Sequence, residues 1–364
     1  MKILVANKFC PLHPKAGGSE KHLLEIFSRL GEKHEVILIS AMFPGAKREE
    51  IIKNIKIVRF GSEKSENIIA IHLLFPFLIS KFLKIYKPDL FIEDISLVPL
   101  FTPVLFPRQK KIIIIHHLNG RWLFKSQNFV YAAVGYLAEK LFLLLYKNEE
   151  IVVVSDWMRV ILSNHGFKNI AKILNGVDGN LFDIRKNYSK NPTILFLGHL
   201  EVRKGADLFL KTFTIVKNAF PNVKYIIAGR RFENFKEKEI SGVEFLGYVP
   251  EEKKRELLSS AWLFVMPSRI EGYGIVSLEA NATGTFVVGN NVPGLQEVIK
   301  DNETGALVNC FDADKFGKTI ISWLDTEKLK SREEACRSWA KSHAWEKSAE
   351  EFEKLISNLQ NKPG

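Results

Sequence analysis

Short apolar runs, each about the length of one buried strand, alternate with longer stretches of helical spacing along this chain. In the first half the runs fall at 2–7, 35–40, 55–60, 89–93, 111–116 and 150–155. Isoleucines fill positions 112 to 115 without a polar break, the pattern of a parallel strand covered on both faces. Between the first two runs Leu23, Phe27 and Leu30 recur at helical spacing. Strands alternating with helices predict an α/β doubly wound domain. The pattern then repeats, with runs at 193–198, 223–229, 243–246, 262–267, 285–289 and 305–308. A polar stretch at 175–192, punctuated by Asn-Gly, Asp-Gly and Asn-Pro, marks the break. A length of 364 residues also fits two domains. The expected fold is therefore two Rossmann-like domains with a cleft between them. The segment 344–360 is an amphipathic helix carrying Trp345, Phe352, Leu355, Ile356 and Leu359. By pattern it either crosses back onto the first domain or ends the second.

An apolar fraction of 46% and a charged fraction of 26% describe an ordinary globular chain. Cys10, Cys310 and Cys336 form neither a metal spacing nor a disulfide framework, which fits a reducing, cytoplasmic setting. The first residues run straight into a strand pattern and lack the features of a signal peptide. The net charge of +11 admits nucleic acid, an anionic membrane surface or phosphorylated small molecules as partners. The excess lysine is scattered rather than clustered with aromatics, so nucleic acid is not expected. Two stretches, 68–86 and 129–146, are unusually apolar, yet neither holds 18 uninterrupted apolar residues. Lys81, Lys84, Arg121, Lys125 and Lys147 flank them. Such helices either fill a core or lie peripherally on the inner face of a membrane.

Glu271-Gly-Tyr-Gly-Ile-Val-Ser-Leu-Glu279 follows the strand that ends near Pro267 and opens a helix. A helix start after glycines offers backbone N–H groups and a partial positive charge, suited to phosphate or sugar oxygens. Eight helical residues span ~12 Å, so Glu271 and Glu279 can hold opposite ends of one extended ligand. Carboxylates accept from vicinal hydroxyls; the plain alternative is two glutamates on a solvated face. Gly198-His-Leu-Glu-Val-Arg-Lys-Gly205 also joins a strand to a helix. There Arg203 and Lys204 either hold a diphosphate or are simply surface cations. Gly17 and Gly18 before the first helix permit close approach of an anion. His116 and His117 end a strand, and alternation turns only one of them toward a ligand. Glu93 and Asp94 end another strand and are weak candidates for acceptor hydroxyls. Asp312 and Asp314 are read as a helix start rather than a metal motif. Dinucleotide, P-loop, Gly-x-Ser-x-Gly and His-Glu-x-x-His motifs are missing.

Taken in order, these segments resemble the retaining glycosyltransferases of family 4, which have the GT-B architecture. The resemblance also rests on 153–155, Asn175-Gly-Val-Asp178, Gly247-Tyr-Val249, Pro267-Ser268 and Gly294-Leu-Gln-Glu297. It implies an acceptor-binding domain at 1–182, a donor-binding domain at 183–344 and a crossover helix at 345–360. It implies that Glu271 and the backbone of Gly272, Tyr273, Gly274 and Ile275 hold the donor hexose. Glu279 would bind the ribose, Tyr248 and Val249 would flank the base, and Lys204 would neutralise the diphosphate. Gly17 and Gly18 would close over it, and His116 would sit near the donor sugar. His199 stands where the family often has arginine, so the second phosphate cation is either His199 or its neighbour Arg203. The segment 92–99 with His116-His-Leu118 looks like a microbial branch acting on glycans or polyprenyl-linked acceptors. The implied activity is transfer of a hexose from a UDP- or GDP-sugar with retention, without metal or other cofactor. Alternatives are a sugar-nucleotide epimerase of the same fold, or a basic membrane-associated protein without catalysis.

Overall fold

The structure, a computed structural model, describes residues 1–62, 68–95, 99–126, 129–231, 235 and 239–361, with the backbone alone at 68–74, 76, 125 and 126. The part of segment 92–99 at 96–98 lies outside the described residues. The chain forms two compact units, Met1–Leu174 with Trp345–Gly364, and Asn175–Ala344.

The first unit runs β1 (Lys2–Ala6), α1 (Gly18–Leu30), β2 (Glu35–Ala41), β3 (Glu49–Ile52), β4 (Ile55–Phe60), α2 (Ile68–Tyr86) and β5 (Leu90–Ile95). It continues through α3 (Thr102–Leu105), β6 (Lys111–Ile115), α4 (Leu123–Ser126), α5 (Phe129–Leu145), β7 (Glu150–Val153), α6 (Asp156–Asn164) and β8 (Ile170–Lys172). The second unit holds β9 (Thr193–Leu197), α7 (Ala206–Ala219), β10 (Lys224–Ala228), β11 (Val243–Gly247), α8 (Glu251–Ser260), β12 (Leu263–Met266) and α9 (Ile275–Ala282). After these come β13 (Phe286–Asn290), α10 (Pro293–Gln296), β14 (Gly305–Val308), α11 (Ala313–Trp323), α12 (Thr326–Lys330) and α13 (Glu333–Lys341). The last helix, α14 (Trp345–Asn361), returns to the first unit.

Each unit is one twisted sheet, with strand orders β3-β4-β2-β1-β5-β6-β7-β8 and β11-β10-β9-β12-β13-β14. All pairs are parallel except β3 with β4. The unbroken apolar runs become the central strands; β6, for example, is buried along its whole length. Strand order reverses between β1 and β5 in the first sheet and between β9 and β12 in the second. The loops leaving those strands diverge at their carboxyl ends, which is where open α/β sheets bind ligands.

The division between units falls between 174 and 175, not between 182 and 183. Arg337 explains this: its guanidinium donates to the carbonyls of Phe182 at 3.2 Å and Ile184 at 2.6 Å and holds the polar stretch to the second unit. The helix α14 packs on α1, with the Phe27 and Phe352 rings edge to face at 5.3 Å. Trp345 is fully buried, and Arg29 bonds Glu346 at 2.7 Å. Asp312 caps α11 by accepting the Lys315 N–H at 2.9 Å, consistent with a helix start.

Because Phe352 is fully buried in this contact, Phe352→Ala is expected to destabilise the first unit by about 3–5 kcal/mol. Chemical denaturation measures this; an unchanged midpoint would show that α14 contributes little to the unit.

Candidate active site

In the second unit the loops leaving β9 and β12 meet backbone to backbone. Gly205 has φ 76° and heads α7; a Cβ on it would lie 2.0 Å from the carbonyl oxygen of Pro267. Only glycine permits this approach. Asn290, at the end of β13, donates to the carbonyls of Pro267 and Ser268, both at 3.0 Å, and fixes the β12 loop from the other side. Arg269 ties the two loops again. Its amide donates to Arg203 O at 2.8 Å, and its guanidinium grips Asp207 at 2.6 and 2.7 Å.

This frame brings Lys204 and Glu271 together, with Nζ 2.7 Å from Oε2. Ser268 Oγ donates to the same carboxylate at 3.3 Å. Burial pushes the Glu271 carboxyl up, but the Lys204 and Arg203 charges and the Lys204 and Ser268 hydrogen bonds outweigh it, so Glu271 titrates below the ordinary range. Lys204 and Glu271, read from the sequence in two separate segments, here form one charged centre. Arg203 is matched by Glu201 at 2.7 Å. His199 is held below its ordinary value, first by burial and also by the Lys204, Arg203 and Arg230 charges. Arg230 joins the cluster unannounced: it follows β10 as His199 follows β9, and its guanidinium lies 4.9 Å over the ring of exposed Tyr248. The position after a Gly at a strand end was the available signal. Val249 is half-buried beside it.

Gly274, with φ 90°, heads α9 directly after the β12 loop, so the helix begins at the charged centre. Gly272 is half-buried there. Tyr273 and Ile275 are buried, so their side chains belong to the interior. Glu279, one turn into the helix, is buried, and Lys254 Nζ reaches both of its oxygens at 3.1 Å. Asp178, Glu251 and Glu279 bring carboxylate oxygens within 4.8 Å of one another, a grouping the sequence did not reveal. Lys254 also pairs with Glu251 at 2.9 Å and offsets part of that charge.

The first unit builds a second polar cluster at its own switch point. Asp94, on β5, accepts from Asn7 Nδ2 at 2.9 Å and lies 2.9 Å from His116 Nε2. The His22 ring of α1 meets His116 edge to face at 5.1 Å. Burial pulls the His116 pKa down, but the Asp94 charge and hydrogen bond, with the Glu20 charge, raise it above the ordinary value. At the start of α1 the Gly17 N–H already donates to Glu20 Oε2 at 2.7 Å, and Ser19 Oγ does so at 3.0 Å, with Gly18 between them.

Glu93 and His117 do not belong to this cluster. Strand alternation turns Glu93 to the α5 side of the sheet, where it is fully buried. It accepts from Leu100 N at 2.6 Å, Tyr146 Oη at 2.9 Å and the Thr102 hydroxyl. Burial raises its pKa to about 7 against those bonds. Glu93 thus fixes the loop after β5 and has no exposed oxygen for an acceptor. His117 lines a small pocket on that same side with Glu139 and Phe142.

Two parallel-sheet units, each with a polar cluster at the carboxyl edge where strand order reverses, make a GT-B fold. Sucrose-phosphate synthase from Thermosynechococcus elongatus shares it with a TM-score of 0.82, 18% identity and 98% coverage of both chains. An Anabaena protein, HepE, solved with UDP-glucose, shares it with a TM-score of 0.73, 15% identity and coverage of 98% and 100%. The model of glycosyl transferases group 1 matches residues 178–343 and that of glycosyltransferase family 4 matches residues 16–180. The chain belongs to glycosyltransferase family 4. It is 32% identical over 190 residues to phosphatidyl-myo-inositol mannosyltransferase of Mycolicibacterium smegmatis, covering 50% of this chain and 49% of that one. It is 26% identical over 368 residues to a Campylobacter jejuni GalNAc-alpha-(1->4)-GalNAc-alpha-(1->3)-diNAcBac-PP-undecaprenol alpha-1,4-N-acetyl-D-galactosaminyltransferase, covering 95% and 96%. The chain spans 40%, 66% and 49% of the length of three of the relatives it matches, that mannosyltransferase among them.

Two outcomes test these clusters. A double-mutant cycle on Lys204→Met and Glu271→Gln is expected to give a coupling of at least about 1 kcal/mol, as for contacting charged residues; additive effects would mean the pair does not interact. The raised His116 pKa contributes stability that is complete below about pH 6.5 and fades as pH rises through the folded value. Thermal melts should show that fading in the wild type and not in Asp94→Asn; equal slopes would remove Asp94 as the cause.

Proposed function

We propose that the chain transfers a hexose from a UDP- or GDP-sugar to a hydroxyl of a glycan or lipid-linked acceptor, with retention and without a metal. The observation that carries this reading is the Lys204–Glu271 centre at the β9/β12 switch point, beside the start of α9. A nucleoside diphosphate needs cations where the leaving group gathers charge, and Lys204, Arg203 and Arg230 supply them. Glu271 accepts from the hexose hydroxyls, and Glu279, held by Lys254, accepts from the ribose. Tyr248 offers its exposed ring, under Arg230, to the base.

In the reaction the bond from the anomeric carbon to the diphosphate oxygen breaks and a bond to the acceptor oxygen forms on the same face. The acceptor's proton passes to the departing phosphate oxygen. The protein's part is orientation and stabilisation of the leaving charge. In the first unit, which takes the acceptor, Asp94 holds Nε2 of His116 and leaves Nδ1 as the atom that meets a sugar hydroxyl. Support for the donor class comes from the neighbour solved with UDP-glucose. Support for a lipid-linked acceptor comes from the relative whose name places its glycan on PP-undecaprenol. An epimerase of the same fold would use the same donor and need no acceptor.

A panel of UDP- and GDP-hexoses, with and without acceptor, is expected to yield one donor that turns over. Glu271→Ala and Lys204→Ala should each lower kcat/KM at least about tenfold, near 1.4 kcal/mol. Near-normal turnover in both variants would refute the site, and acceptor-independent isomerisation would favour the epimerase.

A further inference from the structure

The surface of α5 does not behave like that of a solvated helix. Its inner side, Ala132, Gly135, Ala138, Glu139 and Phe142, is buried. Its outer side carries Val130, Val134, Leu137, Leu141 and Leu144, recurring at helical spacing and 37% to 72% exposed. Phe129, at the amino end, is 76% exposed. A helix apolar on both sides is at home in a core or in lipid, not in water. From sequence this stretch was equally a core helix. The structure buries one side and leaves the other exposed.

The charges decide the occupant. Glu139, the only acidic residue of α5, turns inward and accepts the N–H groups of Asn119 at 2.6 Å and Gly120 at 2.7 Å. The charged residue left on the outer face is Lys140. Exposed Arg121 stands in the 120–122 turn packed against α5. The first unit has 28 Lys and Arg against 19 Asp and Glu, while the second has 24 against 22. Apolar surface rimmed by cations on a basic unit complements anionic lipid. A second copy docked through the same face would oppose like charges. At 17 residues α5 spans about 25 Å, short of a bilayer's hydrocarbon core. No helix among the described residues is long and apolar enough to cross a membrane.

We propose that α5 lies in the interface of an anionic membrane, with its Val130–Leu144 face in the acyl boundary and Lys140 and Arg121 at the headgroups. This surface stands apart from the transfer reaction and holds even if another chemistry occupies the second unit.

The test is co-sedimentation of the full chain with vesicles of phosphatidylcholine alone or with roughly one-third phosphatidylglycerol. Wild type is expected to sediment with the anionic vesicles and to be released by salt. L137E/L144E changes exposed positions, so its circular dichroism and its stabilisation by UDP or GDP should match wild type, while its vesicle binding falls at least about tenfold. R121E/K140E, with the apolar face intact, should lose the preference for anionic over neutral vesicles. Failure of wild type to sediment, or equal sedimentation of L137E/L144E, overturns the proposal. So does a wild-type dimer that L137E/L144E converts to monomer without any lipid binding. Loss of nucleotide stabilisation in wild type would refute the donor site and leave the vesicle result standing.

Discussion

The contact on which the second unit's chemistry depends is the approach of Gly205 to Pro267. It closes the β9 and β12 loops on each other across the point where strand order reverses. A side chain at 205 would push Pro267 away, and Lys204 would no longer meet Glu271. Ser268, Asn290 and Arg269 then hold the geometry with bonds that make little sense for a mobile surface loop. The result is a half-buried carboxylate that lysine holds below its ordinary pKa. An ion pair taken partly out of water contributes little to stability for its own sake. In the proposed reaction it presents a fixed cation and a fixed acceptor to a ligand that carries phosphate and hydroxyls side by side.

The first unit gathers its polar cluster around a buried carboxylate, Asp94. Asp94 draws Asn7 and His116 from the two neighbouring strand ends into one cluster, and the alternation of β5 sends Glu93 to the opposite side as an internal tie. The two adjacent acids therefore do different work for one geometric reason. The same alternation separates His116 from His117.

The alternation of strand and helix was legible because unbroken runs such as 111–115 leave a buried parallel strand as the simplest solution. The edge strand β3, with Glu49 and Glu50, and the short β8 were not, since edge strands lack the apolar pattern that burial imposes. Glu271, Lys204 and His116 stood out by position after strands. Their partners did not: Ser268, Asn290, Arg230, Lys254 and Asp94's hold on Asn7 depend on which loops become neighbours, and one-dimensional spacing does not encode that. The half-burial of His199 beside Lys204, Arg203 and Arg230 likewise exists only in three dimensions. The outer face of α5 was ambiguous for the converse reason: sequence gives its apolarity, and only the packing shows which side lacks a partner.

The central claim is that Lys204 holds the diphosphate, and Glu271 beside it the hexose, of a nucleotide-sugar donor. Calorimetric titration of the wild type and Lys204→Met with UDP and UMP, and with GDP and GMP, tests it most directly. The account expects wild type to prefer one diphosphate over its monophosphate, and Lys204→Met to lose that preference while still binding the nucleoside portion. An undiminished preference for the diphosphate in Lys204→Met would contradict it.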